Sequence, residues 1–283
     1  MCNLPLFMAL ALAAQPPSVA VVIEPVANMY SAPSADSDVV SQALYGNSVE
    51  LEEEKEGWAR IRTPDEYSGW MQLTALRRYE SPDRPYASIG TTVEVASLFA
   101  NVYREPNVTR HAPLLTLPFE SKLEVSSEAE DRRWIEVRLP DGRAAWIQRG
   151  DVDENPRTLS DRATVSFAKR FLGLTYLWGG TSTFGYDCSG FTQMLVRRRG
   201  VLMPRDADLQ AAWTGVTSVD RRKLRAGDLL FFGESPQKIT HTGMWIGHGK
   251  FIHDTTHGQP GVQISRLRDQ PWTKLLVACR RPK

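Results

Sequence analysis

Short runs in which apolar and polar residues alternate occupy the first half of the chain. Residues 48–51 and 122–125 are two such runs, and residues that favour turns separate them from their neighbours. Alternation with a period of two gives an extended strand one apolar and one polar face. The pattern therefore predicts short antiparallel strands as far as about residue 155.

The same stretch contains an internal repeat. Ala-Asn-Met-Tyr at 27–30 returns as Ala-Asn-Val-Tyr at 100–103, and Trp-Ala-Arg-Ile-Arg at 58–62 returns as Trp-Ile-Glu-Val-Arg at 134–138. The repeat indicates two copies of one small β barrel, with the repeated tryptophans packed in the cores. The arrangement resembles two tandem bacterial SH3-like domains, and we predict them over 22–80 and 85–152.

After residue 156 the pattern becomes helical. Ser160 precedes apolar residues spaced as on one face of a helix, and Gly173 follows them, which predicts a capped helix between the two. A second helix is predicted from Cys188 to about Arg199. Strands are predicted over 229–232, 241–247, 250–254 and 275–279. Helices that precede an antiparallel sheet indicate an α+β domain over 157–283.

Composition narrows the choice of partners. Lys and Arg number 34 and Asp and Glu 33, so the formal net charge is +1 and nucleic acid is not an expected partner. Three cysteines are too few for a disulfide framework or a cysteine zinc site. No segment reaches the roughly 20 apolar residues of a membrane span, so none is expected in the mature chain.

The start of the chain bears on localisation. The apolar stretch at 4–14, with Ala-Leu-Ala at 11–13 as a cleavage motif, predicts a signal peptide and linker over 1–21. No lysine or arginine precedes Lys55, so the usual positively charged segment is missing. We expect a periplasmic or secreted protein, and cytoplasmic peptide recycling is the alternative.

Cys188 has the setting of a nucleophile. Asp187 is a natural N-cap, so Cys188 would be the first residue of the helix. Unpaired N–H groups and the helix dipole favour negative charge there, which predicts a lowered thiol pKa and a place for an oxyanion. Cys279 lies in an apolar run and is interpreted as a core residue.

A thiolate nucleophile needs a base, and two of the five histidines fit. His241 begins one predicted strand and His253 lies in the next, while His248 is interpreted as a turn residue. A two-residue loop would put His241 and His253 on opposite faces, whereas a three-residue loop at 247–249 would put His253 opposite Gly243 and diagonal to His241. We predict the longer loop, with His241 as base and His253 as the group that orients it.

Six motifs in this order resemble the NlpC family of cell-wall cysteine peptidases. They are Tyr-Leu-Trp-Gly-Gly at 176–180, Asp-Cys-Ser-Gly-Phe at 187–191, Leu-Met-Pro-Arg-Asp at 202–206, Gly-Asp-Leu-Leu-Phe-Phe at 227–232, His-Thr-Gly at 241–243 and Gly-Lys-Phe-Ile-His at 249–253. The resemblance implies a papain-like domain over 157–283. With two SH3-like units in front, the chain is similar to γ-D-glutamyl-L-diamino acid peptidases of the dipeptidyl-peptidase VI type, which act on murein peptides.

The resemblance also implies roles for individual residues. Cys188 would be the nucleophile, His241 the base and His253 the third polar member, without a metal or cofactor. Substrate-binding roles are implied for Tyr176, Asp187, Ser189, Arg205, Asp206, Asp38 and Tyr67. The last three match an acidic cluster that holds the free amine of an N-terminal L-Ala, although Asp38 stands where glutamate is more usual and a solvated loop carboxylate is the simpler interpretation of either aspartate alone.

Three alternatives remain open. The chain could be a non-catalytic peptidoglycan-binding protein, and intact Cys188, His241 and His253 count against this. It could be a wall-degrading endopeptidase or amidase anchored by the SH3-like repeats, or an acyltransferase acting on lipid. Asp206 and the full-length architecture favour the peptide substrate, although a shared fold does not by itself define a substrate. The identity of the diamino acid, Lys or diaminopimelate, stays open.

Overall fold

The first unit is an antiparallel sheet of seven strands. The computed structural model describes residues 18–79, 84–128 and 131–283, so most of the predicted signal peptide and linker lies outside the described residues. The strands are β1 (Ser18–Val22), β2 (Val26–Tyr30), β3 (Val39–Leu44), β4 (Ser48–Lys55), β5 (Trp58–Arg62), β6 (Ser68–Gln72) and β7 (Leu76–Arg78). Because β1 pairs with both β4 and β7, the unit begins at Ser18, four residues before the predicted boundary at 22.

The second unit repeats the first. Its strands are β8 (Thr92–Val95), β9 (Phe99–Tyr103), β10 (Leu115–Pro118), β11 (Lys122–Glu128), β12 (Trp134–Arg138), β13 (Ala144–Gln148) and β14 (Val152–Asp153). The order β3-β2-β6-β5-β4-β1-β7 recurs as β10-β9-β13-β12-β11-β8-β14, in which every strand is displaced by seven. The sequence repeat is therefore a repeat of topology as well.

Equivalent aromatic pairs brace the two units. Tyr30 contacts Trp58 edge to face with 5.4 Å between ring centroids, and Tyr103 contacts Trp134 in the same way at 5.6 Å. Trp134 is buried and Trp58 is partly buried. The repeated tyrosine and tryptophan positions thus pack against each other, but none of the repeated tryptophans belongs to the hydrophobic core cluster of its unit, so the predicted core packing is wrong.

The third unit has the predicted α+β composition. Helix α1 (Asp161–Ala168) is capped by Ser160, and a short 3-10 turn, Lys169–Phe171, leads to Gly173 in the left-handed region. The other helices are α2 (Cys188–Arg197), α3 (Ala207–Ala212) and α4 (Trp272–Leu275). Both predicted helices are confirmed, the second ending two residues before Arg199.

A six-stranded antiparallel sheet follows these helices. It contains β17 (Val216–Ser218), β18 (Leu229–Ser235), β19 (Lys238–Gly247), β20 (Lys250–Thr255), β21 (Gly261–Arg266) and β22 (Leu276–Pro282), in the order β17-β22-β18-β19-β20-β21, and a small separate pair is formed by β15 (Thr181–Ser182) and β16 (Gly185–Tyr186). Helix α2 packs on β19 and β20 around Phe191, Leu195 and Met244. This packing brings the start of α2 against the central strands.

Both β units contact the region around helix α2. In the first unit, Asp65 accepts a hydrogen bond from Gln193 at 2.7 Å. In the second unit, Glu120 accepts from Arg197 at 2.5 Å and Glu94 from Arg198 at 2.5 Å. The three units are therefore joined by buried and half-buried polar contacts rather than by linkers alone. Among the described residues, no helix has the length and apolar character to cross a membrane.

Candidate active site

Cys188 is the first residue of α2, as predicted. Asp187 Oδ1 accepts the N–H of Gly190 at 2.7 Å and so caps the helix. A Cβ added to Gly190 would lie 2.1 Å from the carbonyl oxygen of Gly180, so only glycine fits there. The cap and this close backbone approach fix the start of α2 at the cysteine, whose side chain is 8% exposed.

Arg205 lies beside this helix start and is 1% exposed. Its two terminal nitrogens donate to the two carboxylate oxygens of Asp187 at 3.0 and 2.6 Å. It also donates to Ser189 Oγ at 2.7 Å, to the carbonyl oxygen of Gly180 at 3.4 Å and to Ser41 Oγ of the first unit at 3.2 Å. These bonds use every N–H of the guanidinium.

This network corrects three sequence expectations. Arg205 has no donor left for a substrate, so its side chain holds the site together instead of binding the peptide. Asp187 and Ser189, each 6% exposed, point into the same network. Their side chains thus position α2 and are not available as the predicted substrate contacts.

The electrostatics of Cys188 also differ from the expectation. Burial, followed by the negative charge of Asp187, raises the pKa of the thiol to about 12. Hydrogen bonds from the backbone N–H groups of Thr242 and Ser189 lower this pKa, but by less. The predicted lowering at the helix start is wrong for this buried thiol, because desolvation of a thiolate outweighs the favourable N–H groups.

Two histidines and a serine form a hydrogen-bonded chain next to the thiol. His241 Nε2 lies 2.8 Å from His253 Nδ1, and His253 Nε2 lies 2.9 Å from Ser265 Oγ. His241 therefore has its other ring nitrogen, Nδ1, left to face another group. Thr242, the next residue along the chain, donates its backbone N–H to the sulfur of Cys188. Burial lowers the pKa of His241 to about 3 and the pKa of His253 well below its ordinary value, so both imidazoles are neutral.

The hairpin between β19 and β20 has the predicted register but a different loop. Met244 pairs with Ile252, which puts Gly243 opposite His253, and the contact between His241 and His253 confirms their shared face. The predicted three-residue loop is wrong. The turn has two residues, 248–249, both with positive φ, and the register shifts between Trp245 and Gly247 on β19. This bulge changes the register as the longer loop was expected to do.

Aromatic rings enclose the histidine pair. The ring centroid of Trp272 lies 5.2 Å from that of His241 and 4.7 Å from that of His253. Phe251 lies 4.4 Å from His253, and Phe232 lies 5.6 Å from His241. These contacts hold the imidazoles in place and account for the desolvation that keeps them neutral.

Tyr176 is held at the edge of the site by a backbone bridge to Tyr186. The side chain of Tyr176 is partly buried, and this burial is the main cause that raises the pKa of its hydroxyl. The hydroxyl therefore stays protonated. It can donate a hydrogen bond near the thiol, which agrees with the predicted position beside the cysteine.

Tyr67 of the first unit and Asp206 of the third unit meet across the domain junction. The hydroxyl of Tyr67 is hydrogen-bonded to the Asp206 carboxyl, and burial is the main cause that raises the pKa of both groups, that of Tyr67 to about 12. Asp38 is exposed, and its carboxylate has no hydrogen bond or ion pair with any described residue. Its neighbour Val39 lies against Gly179, whose added Cβ would be 2.8 Å from Val39 Cγ1. The structure therefore brings Tyr67 and Asp206 together, while the third predicted amine-binding residue, Asp38, is exposed and contacts neither of them.

Sequence reasoning missed Ser41, Ser265 and Asp254. Ser41 and Ser265 lie in no sequence motif, because the residues they contact, Arg205 and His253, belong to another unit or another strand. Asp254 is fully buried, and within the described part of the chain neither carboxylate oxygen has a hydrogen-bond partner of normal geometry. Burial, followed by the charge of Asp187, raises the pKa of Asp254 to about 8. An aspartate directly after His253, in a strand whose residues are nearly all buried, is visible in the sequence only as one more polar residue of that strand.

Comparison with known proteins agrees with this geometry. The model of the NlpC/P60 family matches residues 173–281, and that of the bacterial dipeptidyl-peptidase SH3 domain matches 29–76. Gamma-D-glutamyl-L-lysine dipeptidyl-peptidase of Bacillus cereus is 31% identical over 261 residues, which are 85% of this chain and 74% of that protein. The chain belongs to the NlpC/P60 family. The gamma-D-glutamyl-L-lysine dipeptidyl-peptidase of Bacillus subtilis is also 31% identical to this chain, over 87% of this chain and 82% of that protein.

The similarity of this NlpC/P60 peptidase to solved structures extends over nearly the whole chain. A crystal structure of an NlpC/P60 family protein from Bacillus cereus superposes with a TM-score of 0.81 at 26% identity, covering 94% of this chain and 99% of the other. The enzyme is accordingly a cysteine-type hydrolase of the NlpC/P60 family with an N-terminal SH3-like domain.

Proposed function

We propose that this NlpC/P60 peptidase hydrolyses the bond between the γ-carboxyl of D-Glu and an L-diamino acid in murein peptides that have a free N-terminal L-Ala. The observation that carries the proposal is the buried Cys188 at the start of α2, beside Thr242, with His241 bonded to His253 at 2.8 Å. The relatives named gamma-D-glutamyl-L-lysine dipeptidyl-peptidase support this substrate class and favour L-Lys as the diamino acid.

The chemistry follows from the neutral resting pair. The Cys188 thiol transfers its proton to Nδ1 of His241 as the sulfur attacks the γ-carbonyl carbon of D-Glu. N–H groups in the first turn of α2 stabilise the oxyanion. His241 then returns the proton to the leaving amine of the diamino acid, which leaves a thioester on Cys188. A water molecule, deprotonated by His241, hydrolyses the thioester and restores the thiol.

The pair formed by Tyr67 and Asp206 supports recognition of the peptide end. A half-buried carboxylate can accept charge-assisted hydrogen bonds from an ammonium group, and the tyrosine hydroxyl fixes the carboxylate orientation. Asp38, which is exposed on the first unit, is a second carboxylate for the same ammonium. On this proposal the first SH3-like unit forms part of the substrate site, which explains why Ser41 and Asp65 bind the third unit so directly.

The proposal extends to the domain plan and to localisation. The second unit, over about 85–152, is a second SH3-like domain, which its strand order supports. The peptidase acts outside the cytoplasm, as a secreted or periplasmic protein in which residues 4–14, the apolar stretch ahead of β1, direct export. Cell fractionation of the full chain and of a chain without these residues tests the second point, and recovery of both in the cytoplasm would contradict it.

The experiment for the activity uses purified protein with L-Ala-γ-D-Glu-L-Lys and with its diaminopimelate counterpart, followed by mass spectrometry. We expect release of L-Ala-D-Glu and the free diamino acid. Cys188→Ala should abolish release, while Cys279→Ser, at the other cysteine that the structure describes, should retain it. Cleavage elsewhere in the peptide, or equal cleavage by the Cys188 variant, would reject the proposal.

A further inference from the structure

The side chain of His253 is fully buried, and both of its ring nitrogens have a partner. Nδ1 faces His241 Nε2 at 2.8 Å and Nε2 faces Ser265 Oγ at 2.9 Å. Ser265 reaches this position because β20 and β21 pair with Phe251 opposite Ser265 and His253 opposite Gln263. The serine is thus diagonal to the histidine on the same face of the sheet.

A neutral imidazole has one N–H and one acceptor nitrogen, so these two contacts cannot be set independently. In one direction, His241 Nε2–H donates to His253 Nδ1, and His253 Nε2–H donates to Ser265. In the other, Ser265 donates to His253 Nε2, and His253 Nδ1–H donates to His241 Nε2. Only the first direction leaves Nδ1 of His241 without a proton, as a base for the thiol requires.

We propose that Ser265 is a positioning residue whose hydroxyl oxygen accepts the Nε2–H of His253 and thereby keeps Nδ1 of His241 free to take the proton of Cys188. The inference rests on the proposed roles of Cys188 and His241. The same direction also suits the charged intermediate: when His241 is protonated, His253 Nδ1 still accepts its Nε2–H, because His253 itself stays neutral.

The alternative is that Ser265 only fills space at the end of the chain of bonds. The hydroxyl is the only described hydrogen-bond partner of His253 Nε2. Without it, the buried Nε2–H would have no acceptor among the described residues, and an unsatisfied buried donor is costly. The tautomer with the proton on Nδ1 would then be favoured, and His241 would carry its proton on the wrong nitrogen.

The first test is independent of any substrate. Nitrogen NMR of ¹⁵N-histidine-labelled protein reports which ring nitrogen of His253 carries the proton. We expect the Nε2–H form in the natural protein and in Ser265→Thr, and a shift toward the Nδ1–H form in Ser265→Ala. An Nδ1–H form in the natural protein, or an unchanged tautomer in Ser265→Ala, would overturn the proposal whatever the substrate is.

The second test is kinetic, on L-Ala-γ-D-Glu-L-Lys. Ser265→Ala should lower kcat by about tenfold with KM within about twofold, and Ser265→Thr should restore most of kcat. Gln263→Ala, on the same strand, loses only bonds to the carbonyl oxygens of His257 and Gln259 and is the matched control. Equal kcat in Ser265→Ala and Gln263→Ala would contradict the inference.

Failure of the inference and failure of the proposed function give different results. If the natural protein does not cleave the γ-glutamyl bond, the proposed function fails, yet the tautomer measurement still decides the role of Ser265. If cleavage and its loss in Cys188→Ala are observed while Ser265→Ala is fully active, the function stands and the inference fails. Thermal unfolding of each variant identifies a loss of fold, in which case Ser265→Asp, an acceptor without a hydroxyl proton, replaces Ser265→Ala and should keep the natural tautomer.

Discussion

The buried guanidinium of Arg205 donates hydrogen bonds from both of its terminal nitrogens to the carboxylate of Asp187. Only 1% of the arginine side chain is exposed. Asp187 in turn caps the helix that begins at Cys188. The guanidinium also donates to Ser41 on β3. One side chain therefore connects the first β unit to the start of the helix that carries the proposed nucleophile.

Removal of this arginine should destabilise the protein strongly. Arg205→Met leaves the buried carboxylate of Asp187 without its counter-charge, which should lower the free energy of unfolding by about 3–5 kcal/mol. The control is Arg222→Met, whose pair with Asp220 is exposed, and it should change stability little. Urea unfolding followed by fluorescence measures both variants. Similar losses of unfolding free energy in the two variants would show that the buried pair stabilises the protein no more than the exposed pair does.

The close packing of His253 depends on a glycine across the hairpin. A Cβ on Gly243 would lie 2.9 Å from His253 Cβ and 3.0 Å from the carbonyl oxygen of Ile252. Gly243→Ala should therefore displace His253 and reduce kcat by tenfold or more, about what loss of a fixed base orientation costs. Gly150→Ala, with no atom within 4 Å of the added Cβ, is the control. Full activity in Gly243→Ala would contradict the close fit.

Much of this fold could be predicted because its signals are local. Strand alternation and the cap at Asp187 depend on neighbouring residues, the tandem repeat is visible when two segments of the sequence are compared, and the structure agrees with each. Strand β21 was missed although Val262 and Ile264 alternate with polar residues, since the run is short and follows a glycine-rich turn. The predicted length of the β19–β20 loop is wrong because a bulge and a longer loop give the strands the same register beyond the turn.

The parts of the site that sequence reasoning missed or misassigned depend on distant contacts. Arg205 looks like a free cation in the sequence, but its partners Asp187 and Ser41 lie 18 and 164 positions away. The pKa of Cys188 depends on how much water the assembled units exclude, and a local helix-start argument does not contain that quantity. Ser265 lies 12 residues from His253 and meets it only through strand pairing.

Asp254 should make stability depend on pH. Its pKa in the folded protein is raised to about 8, above the value of about 3.9 in an unfolded chain. The folded state thus binds this proton more tightly, so the contribution is favourable at low pH and is lost as pH rises between these two values. Asp254→Asn stays neutral and should raise the melting temperature, more at about pH 9 than at about pH 5.

The control for Asp254 is Asp228→Asn. Asp228 is also buried, but it is paired with Arg281 at 2.7 Å, so its neutralisation should lower the melting temperature. Calorimetry at both pH values measures the two variants. A melting temperature that falls in Asp254→Asn by as much as in Asp228→Asn would mean that the Asp254 carboxylate is stabilised by a favourable partner in solution.

Recognition of the peptide end can be separated from catalysis. Tyr67→Phe removes the hydroxyl that bonds to Asp206 and should lower kcat/KM for the free peptide by about three- to tenfold. The N-acetylated peptide has no ammonium group, so the variant should change its kcat/KM little. Tyr79→Phe, which loses a bond to Ser48 in the same β unit, is the control. Equal effects of Tyr67→Phe on both peptides would contradict a role in amine binding.

The most direct measurement of covalent catalysis at Cys188 is intact-protein mass spectrometry of a reaction with L-Ala-γ-D-Glu-L-Lys quenched in acid. We expect a mass increase equal to one L-Ala-γ-D-glutamyl group in the natural protein and in Cys279→Ser, located by peptide mapping on Cys188, and no increase in Cys188→Ala. Hydrolysis of the peptide by Cys188→Ala, or an acyl group carried on any other residue, would contradict Cys188 as the nucleophile.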